Sequence, residues 1–371
     1  MGKSLEEIAV QLKDCNKKIQ LIYAFNGTGK TRLSRTFKDL IAPKNEMDEE
    51  TTDLAKKKIL YYNAFTEDLF YWDNDLDNDT NLKLKIHPNA FTDWVFVDQG
   101  QEQNVISNFQ NYVNNKALTP KFNENFSEVT FSLKRGNDQD TENIKISKGE
   151  ESNFVWSVFY SLLEQVVTVL NIPEESDRET DKLNKLEYIF IDDPVTSLDD
   201  NHLIQMAVNL SEVIRKSESD LKFVITTHSP LFYNVLYNEL KIKNNGYMLE
   251  KNEDGSYDLD TKFGDSNENF SYHHHLICIL KRAIQENKIE KYHFTLLRNL
   301  YEKASNFLGY KKWSDLLPDD KEVYATRVMN FYSHRTLLNE EVKEPTEAEK
   351  QTVKFLFEHL IENAKFWKEE D

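Results

Sequence analysis

Two regimes of apolar and polar positions follow one another along this chain. In the N-terminal two-thirds, short apolar runs are separated by helical stretches. Residues 19–24 (IQLIYA) read as a strand, Phe25-Asn26-Gly27-Thr28-Gly29 breaks it, and residues 30–40 follow as a helix. Further strands are expected at 59–63 and 94–98, and the alternating run at 129–133 is expected to form a hairpin with 144–146. Residues 188–191 and 223–226 are compact apolar runs of the kind found in buried parallel strands. Residues 43–57 predict a charged surface loop running into a helix, and the acidic stretch 171–185, with Pro173, an exposed connector. The longest apolar stretch, 154–170, contains Glu164 and Gln165 and predicts a core-facing helix. It falls short of the ~18–20 uninterrupted residues of a membrane span. Residues 247–249 and 257–259 flank Asp254-Gly255, a hairpin signal. From about 271 the pattern is helical to the end. The expected architecture is an α/β domain, residues 1–260, followed by a smaller all-α domain, residues 261–371.

Composition narrows the function classes. The 371 residues are 39% hydrophobic and 12% aromatic, enough for two packed cores and too much for a disordered chain. Lys and Arg number 46 against 64 Asp and Glu, a net charge of −18, which argues against a uniformly basic nucleic-acid binder but leaves room for a local basic surface. The two cysteines, Cys15 and Cys278, supply neither a disulfide framework nor a zinc site and suit a reducing cytosol. The first twenty residues are charged throughout, so no signal peptide is expected. Glu6 stands where N-myristoylation wants Ser or Thr. Asp73, Asp75, Asp77 and Asp79 have the rhythm of a calcium loop, but Asn78 and Leu84 occupy the positions that need Gly and Glu, so a solvated loop is expected.

The break after the first strand carries chemistry. Ala24-Phe-Asn26-Gly27-Thr28-Gly29-Lys30-Thr31 follows a strand and opens a helix, the context of a phosphate-binding loop. Gly27 and Gly29 let backbone N–H groups curl around a polyphosphate, and the helix N-terminus adds its positive end. Lys30 would reach the β- and γ-phosphates, and Thr31 would hold Mg²⁺. Ala24 replaces the first Gly of the motif. The apolar run at 188–191 ends in Asp192 and Asp193, one to bind Mg²⁺ and one to polarise a water. Ser197-Leu198-Asp199 follows, and Thr227-His228-Ser229 ends another apolar run, with His228 able to contact a γ-phosphate. Ser147, Gly149 and Glu150 precede the apolar helix; they have the spacing of a capping box and also the composition of a γ-phosphate sensor. In this order the elements resemble the ABC-type ATPases. That resemblance implies bound ATP or GTP with Mg²⁺ and a homodimer in which Ser147 and Gly149 of one subunit complete the site of another, with Asp199 among the nucleotide-binding residues. Asp193 stands where that family usually has Glu, which implies slow hydrolysis, and Asn63 is the nearest substitute for the family's Q-loop glutamine. Only about 115 residues separate Thr31 from Ile146, too few for the coiled-coil arms of the chromosome-acting members.

The C-terminal third departs from the overall charge. Between 271 and 312, Lys281, Arg282, Lys288, Lys291, Arg298, Lys303, Lys311 and Lys312 face only Glu286, Glu290 and Glu302, and tyrosines are interleaved. Such a segment can hold phosphates and stack bases; it can equally be an amphipathic helix pair with solvated lysines. Arg298 and Glu302 share a helix face at i, i+4, and His334 follows 32 residues later. Arg, Glu and His are the set that metal-independent RNA cleavage requires: a base, an acid and a cation for the pentacovalent phosphorane. Spacing leaves open which of Glu302 and His334 is the base. His273, His274 and His275 are consecutive, a poor geometry for one metal ion.

With the ABC motif set, the run K-F-G-D-S-N…S-Y-H-H-H-L at 262–276 and the R-x₃-E…H spacing, the whole chain resembles the bacterial anticodon nucleases. The resemblance implies a tRNA endonuclease that cuts tRNA(Lys) 5′ of the wobble base and leaves 2′,3′-cyclic phosphate and 5′-hydroxyl ends. It implies catalysis by Arg298, Glu302 and His334, recognition of the anticodon stem-loop by Asp265, Ser266 and Asn267, and no metal for RNA cleavage. It further implies a HEPN-like C-domain, with Arg327 a second candidate for the arginine role, control by nucleotide, and latency under a type I restriction–modification complex until phage infection. The alternative is an ABC-type sensor ATPase of a defence or DNA-repair complex whose effector is a separate subunit. The convergence of Arg298, Glu302 and His334 separates the two.

Overall fold

The computed structural model describes residues 2–43, 58–63, 69–75, 80–87, 92–134, 141–194, 198–242, 246–252, 254–262, 272–318, 324 and 345–363. The chain divides into two compact units, Met1–Ser266 and Asn267–Asp371.

The first unit is built on a six-stranded sheet. Its strands are β1 (Ile19–Tyr23), β2 (Ile59–Asn63), β7 (Tyr188–Asp192), β8 (Lys222–Thr227), β9 (Gly246–Lys251) and β10 (Tyr257–Lys262), in the order β10-β9-β1-β8-β7-β2. All neighbours are parallel except β9 and β10, which form the antiparallel hairpin around Asp254-Gly255. Strands β7 and β8 are buried on both faces, which is why they read as unbroken apolar runs rather than alternating ones. Helices α1 (Leu5–Asp14) and α2 (Lys30–Ile41) cover one face, where Ile8, Leu12, Leu33 and Phe37 pack on Ile22, Phe190, Val224 and Leu249. A reciprocal capping box of Ser4 and Glu7 starts α1.

A second, antiparallel sheet has the order β3-β4-β6-β5, from β3 (Phe70–Asp73), β4 (Lys83–Ile86), β5 (Leu118–Phe122) and β6 (Glu128–Leu133). Here the structure corrects two expectations. The expected hairpin of 129–133 with 144–146 forms only in part: β6 pairs with β5 and β4, and its last residues meet 141–144, where Leu133 bridges Thr141 and Ile144 N–H donates to Phe131 O at 3.0 Å. Pro120 obscured β5 in the sequence; the strand tolerates it because it lies at the sheet edge, where one side of its backbone needs no ladder partner. Residues 93–98 form a π-helical turn, not a strand. Trp94, Val95 and Phe96 are consecutive and all buried, a pattern that a buried strand and a buried helical turn share. Helix α3 (Glu102–Tyr112) follows that turn, and α4 (Lys148–Leu170) is the long core helix. By length and composition α4 is long and apolar enough to cross a membrane, but 83% of its most apolar window is buried within the protein. Phe154 of α4 meets Phe70, Phe109, Phe122 and Phe131, which fixes the start of α4 against the second sheet. Helices α5 (Asp200–Lys216) and α6 (Pro230–Glu239) complete the unit.

In the second unit the described residues are helical: α7 (Tyr272–Gln285), α8 (Lys291–Leu308), a 3₁₀ turn at Trp313–Leu316 and α9 (Glu347–Asn363). Leu280, Phe294, Leu297, Leu300, Leu356 and Leu360 form its core, and the buried Tyr301 hydroxyl donates to the Leu356 carbonyl at 2.9 Å, tying α8 to α9.

Candidate functional site

Parallel pairing brings the carboxyl ends of β1, β8, β7 and β2 to one edge of the sheet. The register sets Tyr23 opposite Thr227, Asp192 opposite Thr226, and Asn63 opposite Asp192. Every strand-end motif picked out in the sequence therefore meets at the edge where ligands of open α/β sheets bind.

The loop after β1 has Gly27 at φ 82° and Gly29 at φ 114°, a left-handed region in which other residues are strained. Around Gly27 the space a Cβ would take is open. Lys30, 6% exposed, donates to Ala24 O at 3.1 Å, Phe25 O at 3.3 Å and Asn26 Oδ1 at 3.2 Å, and its Nζ lies 3.3 Å from Asp193 Oδ2. Thr28 closes the turn by donating its N–H to Phe25 O. Thr31 lies in the first turn of α2.

Asp192 is buried and its two oxygens are separately held. Thr226 Oγ1 donates to Oδ1 at 2.6 Å and Ser34 Oγ to Oδ2 at 3.1 Å, and the Tyr61 hydroxyl lies 2.6 Å from Ser34 Oγ. Burial pushes the Asp192 carboxyl up from the ordinary carboxylate value, against the opposing pull of the Thr226, Ser34 and Thr31 hydroxyls. Asp193 goes the other way. Burial would raise it, but the His228 hydrogen bond and the Lys30 charge outweigh that and hold it below the ordinary value. His228 Nδ1 lies 2.7 and 2.8 Å from the two Asp193 oxygens, and the His228 backbone N–H donates to Oδ1 at 3.1 Å. Asp193 adopts φ 52°, a left-handed conformation for a non-glycine residue, with its own N–H donating to Thr226 O. Adjacent carboxylates thus differ: one is buried among hydroxyls, the other clamped between the Lys30 ammonium and the His228 imidazole.

Ser147 is exposed and caps α4 through the expected box: Glu150 N–H donates to Ser147 Oγ at 3.3 Å, and Ser147 N–H to Glu150 Oε2 at 2.7 Å. Gly149 lies in the first turn of α4, and the next residue but one, Glu151, accepts from Trp72 Nε1 of β3 at 2.9 Å. Asp199 caps α5, accepting from His202 N–H at 3.0 Å, an interaction that lowers its pKa. Sequence reasoning missed Ser34, Tyr61 and Thr226. The signal for Ser34 was present, since it sits three residues after Thr31 on the same helix face. Tyr61 and Thr226 needed the sheet register.

In the second unit Arg298 Nε donates to Glu302 Oε1 at 2.8 Å across one turn of α8. The Arg298 guanidinium lies over the Trp313 ring, 5.6 Å from its centroid, within cation–π range. Glu302 also borders an open hollow of about 510 Å³. His334, Arg327, Asp265, Ser266, Asn267 and the side chains of His273, His274 and His275 lie outside the described residues, as does Ser197. Among the described residues no cluster of His, Cys, Asp and Glu is arranged to hold a metal ion.

An α/β unit that gathers a glycine-bearing loop, a buried lysine, two strand-end aspartates and a strand-end histidine at one sheet edge, joined to a helical unit with an Arg–Glu pair, defines the class: a two-module protein with a distinct polar cluster in each module. An anticodon nuclease from Escherichia coli is 58% identical to this chain over 397 residues, covering 100% of this chain and 99% of that protein. The chain belongs to the anticodon nuclease family. No family profile matches the sequence. Among solved structures, the Smc head domain with a coiled coil from Pyrococcus yayanosii is 12% identical with a TM-score of 0.29, over 46% of this chain and 28% of that one. The Smc head of Pyrococcus furiosus bound to the C-terminal domain of ScpA has the same identity and TM-score, over 47% and 37%.

Proposed function

We propose that this protein is a nucleotide-gated endoribonuclease that cuts the anticodon loop of tRNA, with tRNA(Lys) the expected substrate and the cut 5′ of the wobble base. The observation that carries the reading is the Arg298–Glu302 pair beside an open, lysine-walled hollow, in a chain 58% identical to an anticodon nuclease over its whole length. The nuclease domain spans residues 261–371 and has a HEPN-like fold. The substrate 2′-hydroxyl attacks the adjacent phosphorus, the P–O5′ bond breaks, and a 2′,3′-cyclic phosphate and a 5′-hydroxyl result. Glu302 and His334 exchange the two protons, one removing that of the 2′-hydroxyl and the other delivering one to the departing 5′-oxygen. Arg298 offsets the negative charge of the phosphorane. Neither proton transfer calls on a metal ion. Asp265, Ser266 and Asn267 read the anticodon.

Residues 1–260 take ATP or GTP with Mg²⁺. The donor set fits. Gly27 leaves the loop open to phosphate oxygens, Gly29 gives the positive φ that turns the chain into α2, Lys30 is the buried cation, and Thr31 and Asp192 are the hard oxygen ligands that Mg²⁺ prefers. Bound Mg²⁺ would offset charge on the phosphates. Asp193, held by His228, is the carboxylate placed to orient water, and Asn26, Thr28 and Asp199 contribute to nucleotide binding. Ser147 and Gly149, at the exposed start of α4, complete the site of a second copy in a homodimer. Nucleotide shifts the protein between open and closed states to the extent that it binds them unequally. The protein acts in the cytoplasm, in anti-phage defence, and is held latent by a type I restriction–modification complex.

The test is incubation of the full-length protein with total tRNA and nucleotide, followed by mapping of the new ends. Cyclic phosphate ends 5′ of one wobble base support the reading, and random or absent cleavage refutes it. His334→Ala is expected to abolish cleavage and leave ATP hydrolysis near normal; a variant that still cuts removes His334 from the site.

A further inference from the structure

Helix α8 ends at Gly309, which adopts φ 79° and ψ 16°, a left-handed cap that glycine takes without a Cβ penalty. Gly309 N–H donates to Asn306 O and Tyr310 N–H to Ser305 O, so the chain reverses at once. The reversal lays residues 311–316 back along the last turns of α8. The buried Leu317 anchors this return, as does the Trp313 ring, which meets Tyr301 edge-on at 6.4 Å. The space between is the hollow, lined by Glu302, Ser305, Asn306, Lys311, Lys312, Trp313 and Ser314. Its volume of about 510 Å³ falls in the range of small-ligand sites.

The lining is specific in its chemistry. Two exposed lysines stand against one carboxylate, and that carboxylate is already engaged by Arg298. The Ser314 hydroxyl, the Asn306 amide and the Trp313 indole complete the wall, while the buried Ser305 hydroxyl is spent on Glu302 O at 2.8 Å. Ammonium groups beside hydroxyl and amide donors suit phosphate oxygens, and the indole offers apolar surface to a sugar or base. Trp313 has a second attachment, because its ring carries the Arg298 guanidinium. Arg298 is thereby held from two directions, through Nε by Glu302 and across its plane by Trp313.

We infer that this hollow seats a ribose-phosphate unit of the RNA next to the one being cut, with Lys311 and Lys312 on its phosphate, and that Trp313 is a positioning residue for Arg298. The inference rests on the assignment of Arg298 and Glu302 to the nuclease site and extends it to residues which that assignment leaves without a role.

The test uses the full-length protein with an anticodon stem-loop RNA, and with the same RNA carrying 2′-deoxyribose at the cut position so that it binds without reacting. Lys311→Ala/Lys312→Ala is expected to raise KM, and Kd for the unreactive RNA, by roughly 10- to 100-fold with kcat little changed. The slope of log affinity against log salt should shrink by about 0.7 for the lost phosphate contact. Trp313→Leu is expected to lower kcat by about 10- to 100-fold through misplacement of the guanidinium, a loss on top of any rise in Kd from the lost indole wall. Trp313→Phe, which keeps an aromatic face, should recover most of that loss. If Leu at 313 compromises folding, Trp313→His decides instead: its kcat relative to wild type should fall from pH 8 to pH 6, because an imidazolium repels the guanidinium. Unchanged KM and salt slope in the lysine variant overturn the subsite. Full kcat in Trp313→Leu, or no added pH dependence in Trp313→His, overturns the positioning role. Arg298→Ala run in parallel separates the two levels: if it cleaves normally the nuclease assignment itself is wrong, whereas if it is inactive while the lysine variant behaves as wild type, only the subsite falls.

Discussion

Replacing Thr226 by Val exchanges a hydroxyl for a methyl group of nearly the same shape at a site with no solvent exposure. The lost group is the donor 2.6 Å from Asp192 Oδ1, and Asp192 is itself only 1% exposed, so water does not readily take its place. A hydrogen bond to a charged, buried acceptor contributes about 1.5–3 kcal/mol, and that is the expected loss of stability at neutral pH. The pH dependence is the sharper readout. Burial already raises the Asp192 pKa in the folded protein. The folded state therefore holds this proton more tightly than the unfolded chain. Its contribution is fully present below the ordinary carboxylate value of 3.8 and is lost as pH rises through the raised folded value. Removing the Thr226 donor pushes the folded value further up and deepens that loss. Thr226→Val should thus unfold at a lower urea concentration than wild type at pH 7 and approach wild type in mild acid. Thr226→Ser, which keeps the donor, should track wild type throughout. Equal midpoints for Val and wild type at both pH values would refute the reasoning, because Asp192 would then gain nothing from the bond.

Lys30→Ala removes the cation inside the phosphate-binding loop and the partner of Asp193; loss of nucleotide binding, read with a fluorescent ATP analogue, should bring loss of nucleotide-regulated RNA cleavage. Tyr301→Phe deletes the donor to Leu356 O and should destabilise the second unit by about 1 kcal/mol, measured by hydrogen exchange of the α8 and α9 amides. His293 is buried at the start of α8 and accepts from Glu290 N–H at 2.9 Å through Nδ1; burial lowers its pKa below the ordinary 6.5 despite the opposing pull of Glu290. Between the lowered value and 6.5 the unfolded chain binds a proton that the folded unit refuses, so stability is complete above about 6.5 and falls as the pH drops below it. His293→Gln should flatten that acid slope in hydrogen-exchange or unfolding measurements.

The glycine-bearing loop after β1, the strand-end aspartates and the strand-end histidine were legible because each is a local signal: glycines where the backbone must take positive φ, and carboxylates where an apolar run stops. The Arg298–Glu302 pair was legible for the same reason, since i, i+4 spacing fixes proximity once the helix forms. The π-helical turn at 93–98 was misread as a strand because three consecutive buried residues carry no period. Strand β5 was missed because an edge position excuses a proline that a central strand would not.

By itself the sequence determined that a glycine-bearing loop would open a helix after the first strand, that buried strands would follow, and that a basic helical region would lie in the C-terminal third. All of these depend on neighbours a few residues apart. Tertiary structure alone decided which groups surround Asp192, that Asp193 is shared between Lys30 and His228, and that Lys311, Lys312 and Trp313 turn back onto Glu302 and Arg298. Those contacts follow from the strand order β1-β8-β7 and from the direction in which one left-handed glycine sends the chain. Strand order and chain direction are set by the packing of whole elements, which no stretch of a few residues encodes.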